Sequence, residues 1–333
     1  MDSLTQIVLG AAVGEAVLGR KVGNKAMLYG AIAGTIPDLD VIANYFTDTV
    51  TAIEVHRGFT HSIVFAVLFA PVFGWLISKI EKRSPAVWQD WAWLMFWGLF
   101  THPILDAFTT WGTQLFWPFD LRVAFKNIFV IDPLYTLPFL TFLILAMLAK
   151  RGSPKRRRLN NLGLIVSSSY LLLSIILKGI TYQKFETALQ EQGFEYLQME
   201  NKPAALNTIL WTANVELENA YLIGDYSLFD SKPIKFHRFE KNHELLGDLT
   251  TEDKVQRLIN ISNGWFIISK QEGEIFFSDL RFGVLDVESE DPDFVFTYKL
   301  NTQNDQLEVE EVKRKPAEAK KLLLGLGTRI MGN

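Results

Sequence analysis

The stretch Ser62–Ser78, SIVFAVLFAPVFGWLIS, runs for 17 residues without a charged side chain, and the rest of the chain is best read outward from it. A helix crossing a hydrocarbon layer of ~30 Å needs roughly 20 apolar residues. A soluble core can bury one such run. Three more follow it: Trp91–Leu105, whose one ionisable group is His102, then Pro133–Ala149 and Leu159–Leu177, both uncharged. Four clear spans between Ser62 and Leu177 point to a helical bundle in a membrane. Two shorter apolar segments precede them, Leu4–Gly19 and Ala26–Ile36, giving about six in all. Gly10 and Gly14 have the small-xxx-small spacing that lets helix backbones approach closely. The pair therefore reads as a hairpin packed inside the bundle. Met1–Gln6 has no basic region, so this start does not read as a signal peptide.

Basic residues sort the connections. Arg20, Lys21 and Lys25 follow the first segment, Lys79, Lys82 and Arg83 the third, and Lys150 to Arg158 the fifth. The alternate connections carry Arg57, or Arg122 and Lys126. Positive loops stay cytoplasmic, which predicts a multi-pass protein of the plasma (inner) membrane with both ends outside. Net charge is −4 over 333 residues, but the charges crowd into the C-terminal half. The partners expected are membrane lipids, with no nucleic acid.

Beyond Thr181 the pattern becomes that of a soluble domain. Ile209–Leu217, Ala220–Phe229, Trp265–Lys270, Glu274–Phe277 and Phe294–Leu300 alternate as half-buried strands do. Asn263-Gly264 and Glu272-Gly273 read as turns. Thr251–Ile261 reads as a helix capped by Thr251, and Pro316–Leu324 as a last helix. The predicted fold class is a membrane α-helical bundle, residues 1–180, followed by an extracytoplasmic α+β domain with a mostly antiparallel sheet, residues 181–333.

The chain has no cysteine, so a metal site must use imidazole and oxygen ligands. Ionisable groups beside apolar segments are costly and face a polar cavity or one another. Asp38 and Asp40 close the second segment, His56 and His61 precede the third, and His102 and Asp106 end the fourth. The topology delivers all six to one depth. On a helix, His102 and Asp106 share a face. Gly58 permits a break between His56 and His61, and Thr60 is placed to cap the helix that follows. These ligands suit a divalent ion, zinc first and manganese or iron next. Asp38 or Asp40 can serve as general base, and Arg57 suits a substrate phosphate. Trp111 and Gln114 lie in an aromatic-rich stretch that reads as an interfacial belt or as a lid. Glu15 and Gln6 read first as helix-packing groups.

The motifs Met1-Asp2-Ser3-Leu4-Thr5-Gln6, Ile36-Pro37-Asp38-Leu39-Asp40, His56-Arg57-Gly58-Phe59-Thr60-His61-Ser62 and Thr101-His102-Pro103-Ile104-Leu105-Asp106 resemble the YdjM-like family of bacterial membrane-bound metal-dependent hydrolases. The likeness spans roughly residues 1–150. It implies an integral membrane protein with a metal-hydrolase site and names no substrate. Some relatives have His where this chain has Gln6, which implies a smaller ligand set here or a supporting role for Gln6. Three functions follow: a hydrolase acting on a lipid or other membrane-associated (phospho)ester at the outer face; a metal or proton transporter; or a structural or regulatory protein whose polar cluster ties helices together.

Overall fold

The computed structural model describes residues 1–284, 294–303, 306–313 and 325–332. Its helices are α1 (Ser3–Val22), α2 (Asn24–Thr35), α3 (Thr49–Val55), α4 (Ile63–Ile80), α5 (Trp88–Ala107), α6 (Pro133–Leu148), α7 (Pro154–Glu191) and α8 (Asp253–Ile261). Short 3-10 helices cover Pro37–Tyr45, Phe59–His61 and His243–Thr251. The strands are β1 (Gln198–Pro203), β2 (Leu210–Glu216), β3 (Ala220–Ser227), β4 (Phe236–Glu240), β5 (Phe266–Gln271), β6 (Glu274–Val284), β7 (Phe294–Gln303) and β8 (Gln306–Glu311). They form two compact units, one from residues 1–43, 55–176 and 205–207, the other from 44–54, 177–204 and 208 onward.

The first unit is helical. α1 and α2 form the expected hairpin, turning at Gly23 with φ 64°. Gly10 and Gly14 face Gly30 and Ala26 so closely that a Cβ on either glycine would collide with the opposing backbone carbonyl. Gly34 meets Gln6 in the same way. This glycine seam sets the register of the hairpin and places Gln6 beside Gly34. Leu18, Ala33, Phe65, Ala66, Trp91, Leu94 and Leu99 join the hairpin to α4 and α5 in one core. Val8, Met27, Leu105, Tyr135 and Phe139 form another against α6, with Leu164 and Leu171 of α7 packed on it.

The three basic connections meet at one end of this unit. Lys21 donates to Asp90 at 2.7 Å and Lys25 to Glu81 at 2.5 Å. Arg156 holds Glu15 through two bonds of 2.6 and 2.5 Å and reaches Asn24 at 2.6 Å. Glu15 is thus a tie between helices, as the packing reading expects. At the other end of α1, Asp2 N donates to Val130 O at 2.8 Å.

The expectation of four clear spans needs correction. Helices form at all four stretches, but among the described residues only α4 and α7 have the length and apolarity to cross a bilayer alone. α2 with Pro37–Tyr45 makes a third if that pair, bent by 43°, is one broken span. α6 has 16 residues, about 24 Å at 1.5 Å per residue. α5 has 20 residues, but half of them are buried inside the unit, His102 and Asp106 included. It passes on length but not on apolarity, because Asp90, His102 and Asp106 lie along it.

The second unit holds two four-stranded antiparallel sheets, each a simple meander, β1-β2-β3-β4 and β5-β6-β7-β8. Alternation assigns the faces. Leu222 packs with Phe185 and Leu189 of α7, while Tyr221 and Ile223 face Trp265 and Ile267 of the other sheet. Phe266 and Ile268 turn the other way, onto Val255 and Leu258 of α8 and Val50 of α3. The Glu272-Gly273 turn has both residues at positive φ and joins β5 to β6 as a two-residue hairpin, the geometry such loops favour. The single sheet expected is two, and β1, β4 and β8 were not anticipated: QMENKP and FHRFE are too polar to show strand alternation. α8 is preceded by Glu252, with no side-chain cap, so Thr251 does not cap it. The helix expected at Pro316–Leu324 lies outside the described residues.

Candidate metal centre

The site grows from three chain breaks in the helical unit. Pro37 ends the α2 run, and the 3-10 turn that follows carries Asp38 and Asp40. Gly58, at φ −90° and ψ −120°, interrupts the chain before the turn carrying His61. The last turns of α5 carry His102 and Asp106. Ser62, not Thr60, caps α4, accepting from Phe65 N at 3.0 Å. Thr60 instead donates to Asp40 at 3.1 Å.

Asp38, His61, His102 and Asp106 each offer one ligand atom to a common space. His61 Nε2 lies 3.1 Å from His102 Nε2, 3.5 Å from Asp38 Oδ1 and 3.3 Å from Asp106 Oδ2. His102 Nε2 lies 3.4 Å from each of those carboxylate oxygens. A tetrahedral ion with bonds of about 2.05 Å sets its ligands about 3.3 Å apart. Five of the six edges match that spacing. Two imidazole nitrogens facing each other beside two carboxylate oxygens make a set of donor atoms that could hold a cation. Asp106 Oδ2 is buried and has no hydrogen-bond partner, which also fits a ligand atom.

The surrounding groups orient these four. His102 Nδ1 donates to Gly34 O at 2.7 Å, leaving Nε2 with its lone pair turned inward. His61 Nδ1 lies 3.3 Å from Asp40 Oδ2. This carboxylate–imidazole arrangement is the usual support of a metal-bound histidine. Asp106 Oδ1 accepts from the Met1 amino group and from Gln6 Nε2, the latter at 3.1 Å. Burial would lower the pKa of the His61 imidazole, but the carboxylates of Asp106, Asp38 and Asp40 outweigh it and push it up to about 9. The same field favours a divalent cation.

Asp40 and His56 stand beside the four rather than among them. Asp40 takes His56 Nδ1 at 3.0 Å, Arg57 N at 2.9 Å and the Thr60 hydroxyl. With His61 as well, both its oxygens are engaged, an arrangement suited to positioning. Arg57 has φ 60°, a conformation non-glycine residues rarely adopt; its N–H bond to Asp40 and its carbonyl, which accepts from Gln114 N at 3.0 Å, hold it there. Its Nη1 donates to Thr109 at 2.8 Å. Its Nε lies 3.3 Å from Asp106 Oδ2, within ion-pair reach but without hydrogen-bond alignment. Trp111 packs its ring edge-on to His56, centroids 5.6 Å apart. Gln114 is tied to Asp120 at 2.9 Å. Gly34 O, Thr109 and the Met1 amine were not singled out from the sequence, and Thr60 was read there as a cap rather than as a partner of Asp40. Gly34 had one signal there, as a small residue four positions after Gly30.

A profile of the YdjM inner membrane protein family matches residues 1–181, more than half of the chain. Among curated proteins, the chain is similar to Inner membrane protein YbcI of Escherichia coli (strain K12), with 35% identity over 101 residues, 30% of this chain and 57% of that protein. The chain therefore spans little more than half the length of that relative. No solved structure matches. The matched region contains α1 to α6, most of α7 and all four residues that could hold a metal ion, and the chain belongs to the YdjM family of inner membrane proteins.

Proposed function

We propose that this protein is a membrane-bound metal-dependent hydrolase acting on a lipid or another membrane-associated (phospho)ester at the outer face of the membrane. The observation that carries the proposal is the set of ligand–ligand spacings of 3.1–3.5 Å among Asp38, His61, His102 and Asp106. Two imidazoles and two carboxylates suit zinc, with manganese or iron next. Such an ion, when bound, polarises an ester oxygen and brings a water's pKa toward neutrality. The chain's own groups do the rest. Asp40 and Gly34 O hold the two imidazoles with Nε2 inward. Arg57 places a guanidinium, a group matched to phosphate oxygens, beside Asp106. The Asp40–His56 pair, with the His56 side chain 27% exposed, offers a proton-handling group at the rim. The three basic connections gathered at the far end support a cytoplasmic placement for that end and an outer placement for the site.

The test uses full-length protein purified in detergent, loaded with zinc, and screened against phosphoesters and lipid esters with and without chelator. Chelator-sensitive turnover that H61A abolishes is the expected result. Turnover that is absent, or equal in the parent and H61A, refutes the proposal, and zinc flux into sealed vesicles without turnover would identify a transporter.

A further inference from the structure

The four ligand side chains differ in exposure: His61, His102 and Asp106 are at 0%, and Asp38 is at 20%. Access to the centre therefore passes over Asp38. In a 3-10 helix residues i and i+3 eclipse, so Pro37–Tyr45 has three rows of side chains. Pro37 and Asp40 form the buried row. Asp38 and Val41 share the second, which ends at the exposed Asn44, and Leu39 and Ile42 share the third, which ends at Tyr45, with Leu39, Val41 and Ile42 exposed by 52, 46 and 49%. The one ligand open to the outside thus stands directly beside an exposed valine, and the adjoining row is apolar too. A ligand approached from water would be flanked by polar residues. This one lies on a turn that, with α2, has the apolarity of a broken membrane span.

We infer that the centre opens sideways into the bilayer over the Asp38–Val41 row, and that its ligand is a lipid whose anionic headgroup reaches the ion and Arg57 while its acyl chain stays against Leu39, Val41 and Ile42. The substrate class rests on the hydrolase reading; the direction of the opening does not. The buried guanidinium of Arg57 complements an anionic headgroup. The exposed apolar row complements hydrocarbon, so one molecule satisfies both only if it is amphiphilic.

Two measurements test this. The chain lacks cysteine, so V41C and L39C each carry a single nitroxide in full-length protein reconstituted into phosphatidylethanolamine–phosphatidylglycerol vesicles. Collisions with oxygen exceeding those with a water-soluble nickel complex at both positions, together with broadening by added manganese at position 41, are expected. Greater access for the nickel complex overturns the inference, whatever the protein hydrolyses. The second measurement takes the ratio of turnover on a long-chain phospholipid to that on its short-chain, water-soluble analogue. V41D lowers this ratio about tenfold, the scale of losing one apolar side chain's contact. A ratio equal to the parent's contradicts acyl-chain contact at Val41. Failure of the parent to turn over either substrate removes the hydrolase reading and leaves the nitroxide result to decide the opening.

Discussion

Asp40 distinguishes a built metal centre from a cluster of packed polar groups. Its carboxylate accepts from Arg57 N at 2.9 Å, His56 Nδ1 at 3.0 Å, Thr60 at 3.1 Å and lies 3.3 Å from His61 Nδ1. D40N keeps the size and removes one acceptor oxygen. If the amide nitrogen faces Arg57 N, Thr60 and His61, three donors lose their acceptor; if it faces His56, one does. In the first case the His61 proton moves to Nε2, the atom needed by the ion. Loss of such a supporting carboxylate costs about 10- to 100-fold in metal affinity, or about 1.4–2.7 kcal/mol. The unpaired buried donors cost a further ~1–3 kcal/mol in fold stability. Competition of a chromogenic zinc chelator with the parent and D40N measures the first; thermal unfolding of both metal-free proteins measures the second. A D40N affinity within about twofold of the parent's, in a protein as stable as the parent, would refute the placement of Asp40 behind His61, because a loss of at least tenfold is expected.

Three other outcomes are expected. G30V places a branched side chain where even a Cβ meets Gly10 O and Gly14; the α1–α2 hairpin separates, and the protein elutes as aggregate in detergent chromatography. Zinc binding displaces the proton that the surrounding carboxylates hold on His61 up to about pH 9, so affinity measured by isothermal titration rises with pH below that value. His243 is half-buried against Phe266, their rings stacked at 3.9 Å, and burial, ahead of the raising effect of the Phe266 carbonyl, lowers its pKa. The folded state then binds the proton less tightly than the unfolded chain. The resulting contribution to stability is present above the unfolded value of about 6.5 and is lost as pH falls below it, and H243F flattens that part of a urea-midpoint-versus-pH curve.

Much of the helical unit was legible because lipid and core both demand apolar residues, so the runs at Ser62, Trp91, Pro133 and Leu159 all became helices. The overcount of spans has another cause: α6 stops at 16 residues, and α5 carries Asp90, His102 and Asp106 along its 20. In the second unit, β2, β3 and β5 are rich in the apolar and aromatic residues that mark strands, whereas β1 and β8 are edge strands rich in charge or amide groups. At the site, spacing identified which residues gather, since three chain breaks arrive at one end of the bundle. It did not divide Asp38 from Asp40. That division depends on a 3-10 turn, whose rows send neighbouring carboxylates to different partners. Nor did it supply Gly34 O behind His102, which requires the register of the glycine seam.

X-ray absorption at the zinc edge of full-length protein, purified in detergent and freed of loosely held metal, tests the tetrahedral grouping of Asp38, His61, His102 and Asp106 most directly. The account expects one zinc per chain, with two imidazole nitrogens and carboxylate oxygens at about 2.0–2.2 Å, and its loss in both H61A and D106A. Zinc absent from the parent, or bound equally by all three proteins, would contradict it.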